Sequence, residues 1–147
     1  MPDRIQSLRQ RWLLSAAGGA LLALASPALA STPPATTAVP AGSCLRLNHT
    51  AQALTEFNNL GPQASAADAR ASFQLLQASE QGLQRDPALA ALPAMAAVQR
   101  SWRALDQAFG QLPAGTGVGA MQQQLQSAKH EHRIALNGLI VSITCQP

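Results

Sequence analysis

The fold is decided by residues 94–112, AMAAVQRSWRALDQAFGQL. Their large apolar side chains recur at steps of +4, +3, +4 and +3, which is the period of one face of an α-helix. These positions are Val98, Trp102, Leu105, Phe109 and Leu112. Polar residues and alanines fill the positions between them, so the stretch predicts an amphipathic helix that packs one face against other helices.

Three further segments show a similar helical period, with proline and glycine between them. They are residues 44–59, 65–85 and 118–144. Ser43 and Ser65 are candidate N-caps for the first two helices. The end of the last segment, residues 139–144 (LIVSIT), is rich in β-branched residues, but a lone strand would lack a partner, so we predict helix there. Four helices with short connections predict an all-α fold, an antiparallel up-down-up-down four-helix bundle.

Cys44 and Cys145 are the two cysteines of the chain and lie near the two ends of the predicted bundle. In an up-down-up-down bundle both chain ends emerge at the same pole, where a disulfide needs Cα atoms about 4.4–6.8 Å apart. We therefore predict one intramolecular disulfide. Free thiols, an intermolecular bridge and a metal pair are the alternatives, although finger-like ligand spacing is absent from the sequence.

The first 30 residues are typical of a secretory signal peptide. Arg4, Arg9 and Arg11 precede an apolar run over residues 12–24, and residues 28–30 (ALA) form a small-x-small cleavage site. A transmembrane anchor is the alternative. We predict cleavage after Ala30, a periplasmic or secreted location and no stable membrane span afterwards. Residues 31–42 (STPPATTAVPAG) predict a flexible linker, and residues 43–147 the bundle domain.

Charge and composition narrow the classes of function. Three of the ten Lys and Arg residues and one of the seven acids precede the cleavage site, so the exported chain has a formal charge of only +1. Aromatic residues make up 3% and tyrosine is missing, which argues against a single-stranded nucleic-acid binder. The acids show no pairing motif and no phosphate-binding loop is present. We predict a protein that is not an enzyme and does not bind nucleic acid.

The three histidines, His49, His130 and His132, are the natural candidates for metal or haem ligands. His49 lies about 7–8 Å from the bridged pole along its helix and His132 about 20 Å, so they do not predict one shared site. We predict no cofactor and no metal. His132 falls on the apolar stripe and needs a hydroxyl or glutamine partner there, or else it contacts a ligand or acts as a pH sensor.

Trp102 lies between Arg100 and Arg103, a pattern that suits a small anionic or aromatic ligand. The alternative is that Trp102 is simply the largest core side chain, because it lies on the stripe. Glutamines crowd the second and fourth helices, at residues 74, 77, 81 and 84 and at residues 122–124 and 126. They form either solvated faces or a contact surface for a protein partner.

Residues 67–112 combine an alanine-rich helix with Phe73 and spaced leucines, an Asp-Pro break and a Val-x-x-x-Trp helix. In these features the segment resembles the periplasmic four-helix sensor modules of PilJ/NarX type. That family has a first helix containing Arg-Gln-Arg, which in its nitrate sensors supplies the arginine that binds the ligand. Only Arg46 corresponds here, and the surrounding segment departs from the family pattern.

The resemblance and the missing catalytic motifs predict an exported, non-enzymatic, sensor-like binding module of the bacterial periplasm, acting on a small ligand or a periplasmic protein. Its candidate ligand-binding residues are Arg46, Arg100, Trp102, Arg103 and His132. One alternative is a haem or metal carrier that uses His132 with His49, Met95 or Met121. Another is a secretion-system accessory or toxin-neutralising protein.

Overall fold

A computed structural model describes residues 35–147, and 71% of these residues are helical. The predicted signal peptide and residues 31–34 lie outside the described part of the chain. The six helices of the described part are α1 (Ala41–Asn58), α2 (Ala66–Gln84), α3 (Pro87–Ala90), α4 (Met95–Gly110), α5 (Val118–Gln124) and α6 (Gln126–Val141). Two short strands, β1 (Thr37–Val39) and β2 (Ile143–Cys145), flank them. Among residues 35–147, no helix has both the length and the apolar character to cross a membrane.

The long helices pack in two close pairs, α1 with α2 and α4 with α6, and further contacts join α1 to α6 and α2 to α4. Each of them contributes buried residues to one apolar core, and the predicted stripe of α4 is among these. The burial follows the period read from the sequence, because Val98, Trp102 and Leu105 are all less than 9% exposed.

An aromatic cluster fills one part of this core. Phe73 stacks on Phe109 with ring centroids 3.7 Å apart, and on Trp102 at 5.6 Å. Phe57 meets Phe73 edge to face at 5.4 Å. The few aromatic side chains of the domain therefore connect α1, α2 and α4 at one place, where each stabilises its neighbours beyond simple burial.

The disulfide prediction is confirmed. Cys44 and Cys145 are bonded, with their Cα atoms 6.1 Å apart. The bond joins the first turns of α1 to the end of the chain.

The segments before α1 and after α6 also pair as strands, which the sequence did not predict. β1 and β2 run parallel, with Thr37 opposite Ile143 and Val39 opposite Cys145. The prediction of helix over residues 139–144 is therefore wrong beyond Val141, where α6 ends. Part of the predicted linker is the missing partner strand, and Val39 is 1% exposed. β-branched side chains favour this pairing at both strands.

The helix boundaries differ from the predicted ones in two further places. α1 begins at Ala41, and Pro40 is its N-cap without a side-chain bond, so Ser43 does not cap it. The predicted fourth helix is divided at Leu125 into α5 and α6. The apolar period did not reveal this break because Met121, Leu125 and His132 remain buried on both sides of it.

Ser65 does cap α2, as predicted. Its hydroxyl accepts a bond from the Asp68 backbone N–H at 3.1 Å, and the Asp68 carboxylate accepts one from the Ser65 backbone N–H at 2.8 Å. This reciprocal arrangement is a capping box with an aspartate in the third position.

Candidate functional site

The core contains a chain of three polar side chains contributed by three helices. Glu80 Oε1 of α2 lies 2.9 Å from His132 Nε2 of α6, and His132 Nδ1 lies 3.0 Å from Ser101 Oγ of α4. Glu80 and His132 are fully buried and Ser101 is 9% exposed. His132 thus has the hydroxyl partner that its place on the apolar stripe requires, together with a carboxyl group.

Ser101 Oγ lies 3.0 Å from the Val98 carbonyl oxygen and 3.0 Å from His132 Nδ1, so the hydroxyl can donate to one of these two acceptors. A proton also lies between His132 Nε2 and Glu80 Oε1, because two acceptor atoms alone would not bond at 2.9 Å. The other oxygen, Glu80 Oε2, is buried and has no hydrogen-bond partner among the described residues.

Serine, histidine and a carboxylate are also the residue types of a nucleophilic triad, but here they lie inside the helical core. Glu80 and His132 are fully buried and Ser101 is 9% exposed. The histidine ring lies 5.7 Å from the ring of Trp102. The network links α2, α4 and α6 as a structural element.

A second buried carboxylate, Asp86, joins α1 to the start of α3. Its Oδ1 accepts bonds from the Ser43 hydroxyl at 3.1 Å and from the backbone N–H groups of Ala88 and Leu89 at 3.0 and 3.3 Å. Arg46 Nε lies 3.3 Å from Oδ2. Asp86 is therefore the N-cap of α3, and the candidate ligand residue Arg46 neutralises it.

The other candidate ligand residues do not form one site. Trp102 is 7% exposed and belongs to the aromatic cluster. Arg100 and Arg103 are exposed on α4. The structure brings Trp102 and His132 into contact in the core, while Arg46 lies on another helix beside Asp86.

An open cavity of about 710 Å³, called the polar cavity below, lies where the end of α1 faces the α5–α6 junction. It is lined by Asn58, Gln123, Gln124, Gln126, Ser127, Lys129, His130 and Arg133. Its lining contains three basic residue types and no carboxylate. Asn58 is fourteen residues from Cys44, so the polar cavity lies about 21 Å from that cysteine along α1.

Lys129 is the most buried basic group of the polar cavity. Its ammonium lies over the Phe57 ring, 5.9 Å from the centroid, and donates to Gln122 Oε1. Gln122 in turn donates to the Phe57 carbonyl at 2.8 Å. Burial lowers the pKa of Lys129, because the ammonium loses part of its hydration. No carboxylate of the described residues lies within ion-pair distance of it.

His130 and Arg133 form the outer part of the same lining. Arg133 Nη2 lies 3.1 Å from His130 Nδ1. Because a guanidinium group can only donate, Nδ1 is the acceptor, and the neutral ring presents its hydrogen on Nε2. Both residues therefore offer donors to a molecule in the polar cavity.

The three histidines lie in three different environments. His49 lines a separate groove of about 440 Å³ between α1 and α2, together with Leu75. His130 lines the polar cavity and His132 the core. Within residues 35–147, no group of three or more His, Cys, Asp or Glu side chains is placed to hold a metal ion.

Sequence reasoning missed two members of the buried network and the cationic part of the polar cavity. Glu80 occupies the gap in the α2 stripe between Leu76 and Leu83, a position at which a carboxylate must be buried. The spacing of Lys129 and Arg133, four residues apart and next to the glutamine cluster, was the available signal for the polar cavity.

Comparison of the chain with protein-family models, with curated proteins and with solved structures finds no match.

Proposed function

We propose that this protein is an exported, non-enzymatic binding module of sensor-like type, which recognises a small ligand or a protein partner in the bacterial periplasm through the polar cavity. The observation that carries the proposal is the polar cavity itself. Its volume of about 710 Å³ falls in the range of small-molecule sites, about 300–1,000 Å³. Amide, hydroxyl and cationic side chains all line it.

The periplasmic location rests on two independent features. The basic, apolar and small-residue segments before Ala30 are those of a cleavable leader, and the Cys44–Cys145 bond suits an oxidising compartment. The sensor-like character rests on the resemblance of residues 67–112 to PilJ/NarX-type modules.

We also propose that α1, α2, α4 and α6 form an antiparallel up-down-up-down bundle. The close pairing of α1 with α2 and of α4 with α6 favours it. The disulfide between the start of α1 and the segment after α6 requires both ends to meet at one pole, as this topology does.

The absence of turnover belongs to the same proposal. Its support is the burial of the network, in which Glu80 and His132 are fully buried and Ser101 is 9% exposed. The buried network is therefore a stabilising element and not a reaction centre.

Chemical-shift mapping by NMR tests the proposal. The disulfide-bonded protein without its leader is screened against a collection of charged and neutral small molecules and against periplasmic extract. We expect hits to shift the resonances of Asn58, Gln124 and Ser127. Gln124→Ala should weaken the binding of such hits, whereas Gln74→Ala, which changes an exposed glutamine of α2, should not.

Two results would overturn the proposal. One is that every hit shifts resonances elsewhere, for example around Arg100 and Arg103, with the polar cavity silent. The other is a turnover that disappears with Ser101→Ala.

A further inference from the structure

We infer that the polar cavity binds a small oxyanion, meaning a molecule with a carboxylate or phosphate group held by Lys129 and Arg133. The inference rests on the proposed function and specifies the chemistry of its ligand. The first reason is charge. Lys129 and Arg133 line the cavity and no acid does, although the exported chain as a whole is nearly neutral.

The second reason is that the positive charge of Lys129 is poorly compensated within the protein. Its partners are a neutral amide oxygen, Gln122 Oε1, and the face of the Phe57 ring. An anion in the cavity would restore the electrostatic stabilisation that the ammonium loses by partial burial.

The third reason is the position of the two cations on α6. Arg133 follows Lys129 four residues later on the same face of α6, and like charges at this spacing repel each other. An anion bound between the two cations would replace this repulsion by attraction.

The remaining lining groups suit an oxyanion. The neutral His130 ring presents Nε2–H, and the Gln123, Gln126 and Ser127 side chains carry further donors. Charge-assisted bonds from lysine and arginine would supply most of the affinity, and the neutral donors would orient the ligand.

Titration of the disulfide-bonded protein with citrate, glucose 6-phosphate and glucose tests this inference. We expect saturable binding of citrate or glucose 6-phosphate, and much weaker binding of the uncharged sugar. Binding of citrate alone identifies a carboxylate site and binding of glucose 6-phosphate alone a phosphate site. Binding of both identifies a general oxyanion site.

Variants that remove a single positive charge test whether the anions bind in the polar cavity. Arg133→Gln and Lys129→Gln should each weaken anion binding by about tenfold, as expected for loss of one charge-assisted bond. Arg85→Gln removes the same charge from an exposed residue outside the cavity and should leave binding within about twofold. Because Arg133 is exposed, its variant is expected to fold normally, and circular dichroism checks this.

The outcomes separate this inference from the proposed function. The oxyanion inference fails if neither anion binds saturably, or if Arg85→Gln weakens binding as much as Arg133→Gln does. If neutral compounds or a protein shift the cavity resonances while the anions do not, the inference fails and the binding function stands. If nothing shifts these resonances, both fail. Loss of stability in Lys129→Gln, with no anion bound to the unaltered protein, would assign Lys129 to packing on Phe57.

Discussion

Glu80 and His132 place two ionisable groups in the core, where an unpaired charge is far more costly than a paired one. Replacing His132 with leucine alone leaves the Glu80 carboxyl without its partner. We expect this variant to lose about 3–5 kcal/mol in the free energy of unfolding, measured by chemical denaturation.

Replacing both partners should give a different result. Glu80→Met combined with His132→Leu removes both polar groups and keeps similar volume, so the double variant should be as stable as the unaltered protein or more stable by about 1–4 kcal/mol. If the stability losses of the two single variants instead add up in the double variant, the loss in His132→Leu does not come from breaking the Glu80–His132 hydrogen bond.

Asp86 and its neighbour Arg46 should also differ in their effects on stability. Asp86→Ala removes the α3 cap and leaves the buried Ser43 hydroxyl without its acceptor, so we expect a loss of about 2–3 kcal/mol. Arg46 is 58% exposed, and Arg46→Met should cost less than about 1 kcal/mol. Thermal unfolding followed by circular dichroism measures both, and a larger loss for Arg46→Met would contradict this assignment.

For single residues, the sequence predicted which side chains are buried better than it predicted which side chains they contact. The stripe placed Trp102 and His132 correctly in the core because burial follows the helical period. The partners of His132 come from helices that are distant in sequence, and their pairing depends on how the helices are rotated against one another. The period of one helix does not contain that information.

The capping box at the start of α2 makes a pH-dependent contribution at the scale of a single element. The bond from the Ser65 backbone N–H, and then that from its hydroxyl, lower the pKa of Asp68 below its usual 3.8. A carboxyl whose pKa is lower in the folded state contributes stability above its unfolded-state pKa, and this contribution is lost as the pH falls through the folded-state value. Asp68→Asn should therefore destabilise the protein near neutral pH.

The same variant should differ little from the unaltered protein at a pH below the folded-state value, because the Asp68 carboxyl is then protonated in both states. Denaturation curves at about pH 7 and about pH 2 provide the comparison. Asp106→Asn, which changes a carboxylate on α4 outside the cap, serves as the control. An equal loss at both pH values would mean that Asp68 acts through packing.

Among the elements, the sequence predicted α2 and α4 well and the segments that flank the helices less well. Residues 139–144 have a composition typical of a strand, but we expected them to continue the preceding helix. The strand formed because Val39 and its neighbours, read as part of a linker, supplied a partner. Strand formation depends on a second segment, here about one hundred residues away in the chain, whereas helix formation is local.

At the scale of the whole molecule, the disulfide and the β1–β2 pairing both hold the start of α1 against the segment that follows α6. The bond joins residues 101 positions apart. If it acts mainly by restricting the unfolded chain, a loop of this length gives about 4.7 kcal/mol. The Cys44→Ala, Cys145→Ala double variant should therefore lose about 4–5 kcal/mol in the free energy of unfolding.

The backbone hydrogen bonds between β1 and β2 should be the first to weaken in this variant, because they lie beside the disulfide. The Gln146 N–H donates to the Val39 carbonyl at 2.9 Å and the Thr37 N–H to the Ser142 carbonyl at 2.8 Å. Amide exchange at Thr37 and Gln146 should become fast in the double variant, while amides of α4 should keep more protection, because core amides exchange through global unfolding and strand ends through local opening. If these amides stay protected and the free energy of unfolding changes by less than about 1 kcal/mol, the pairing of the strands and the packing of Val39 close the chain without the covalent bond.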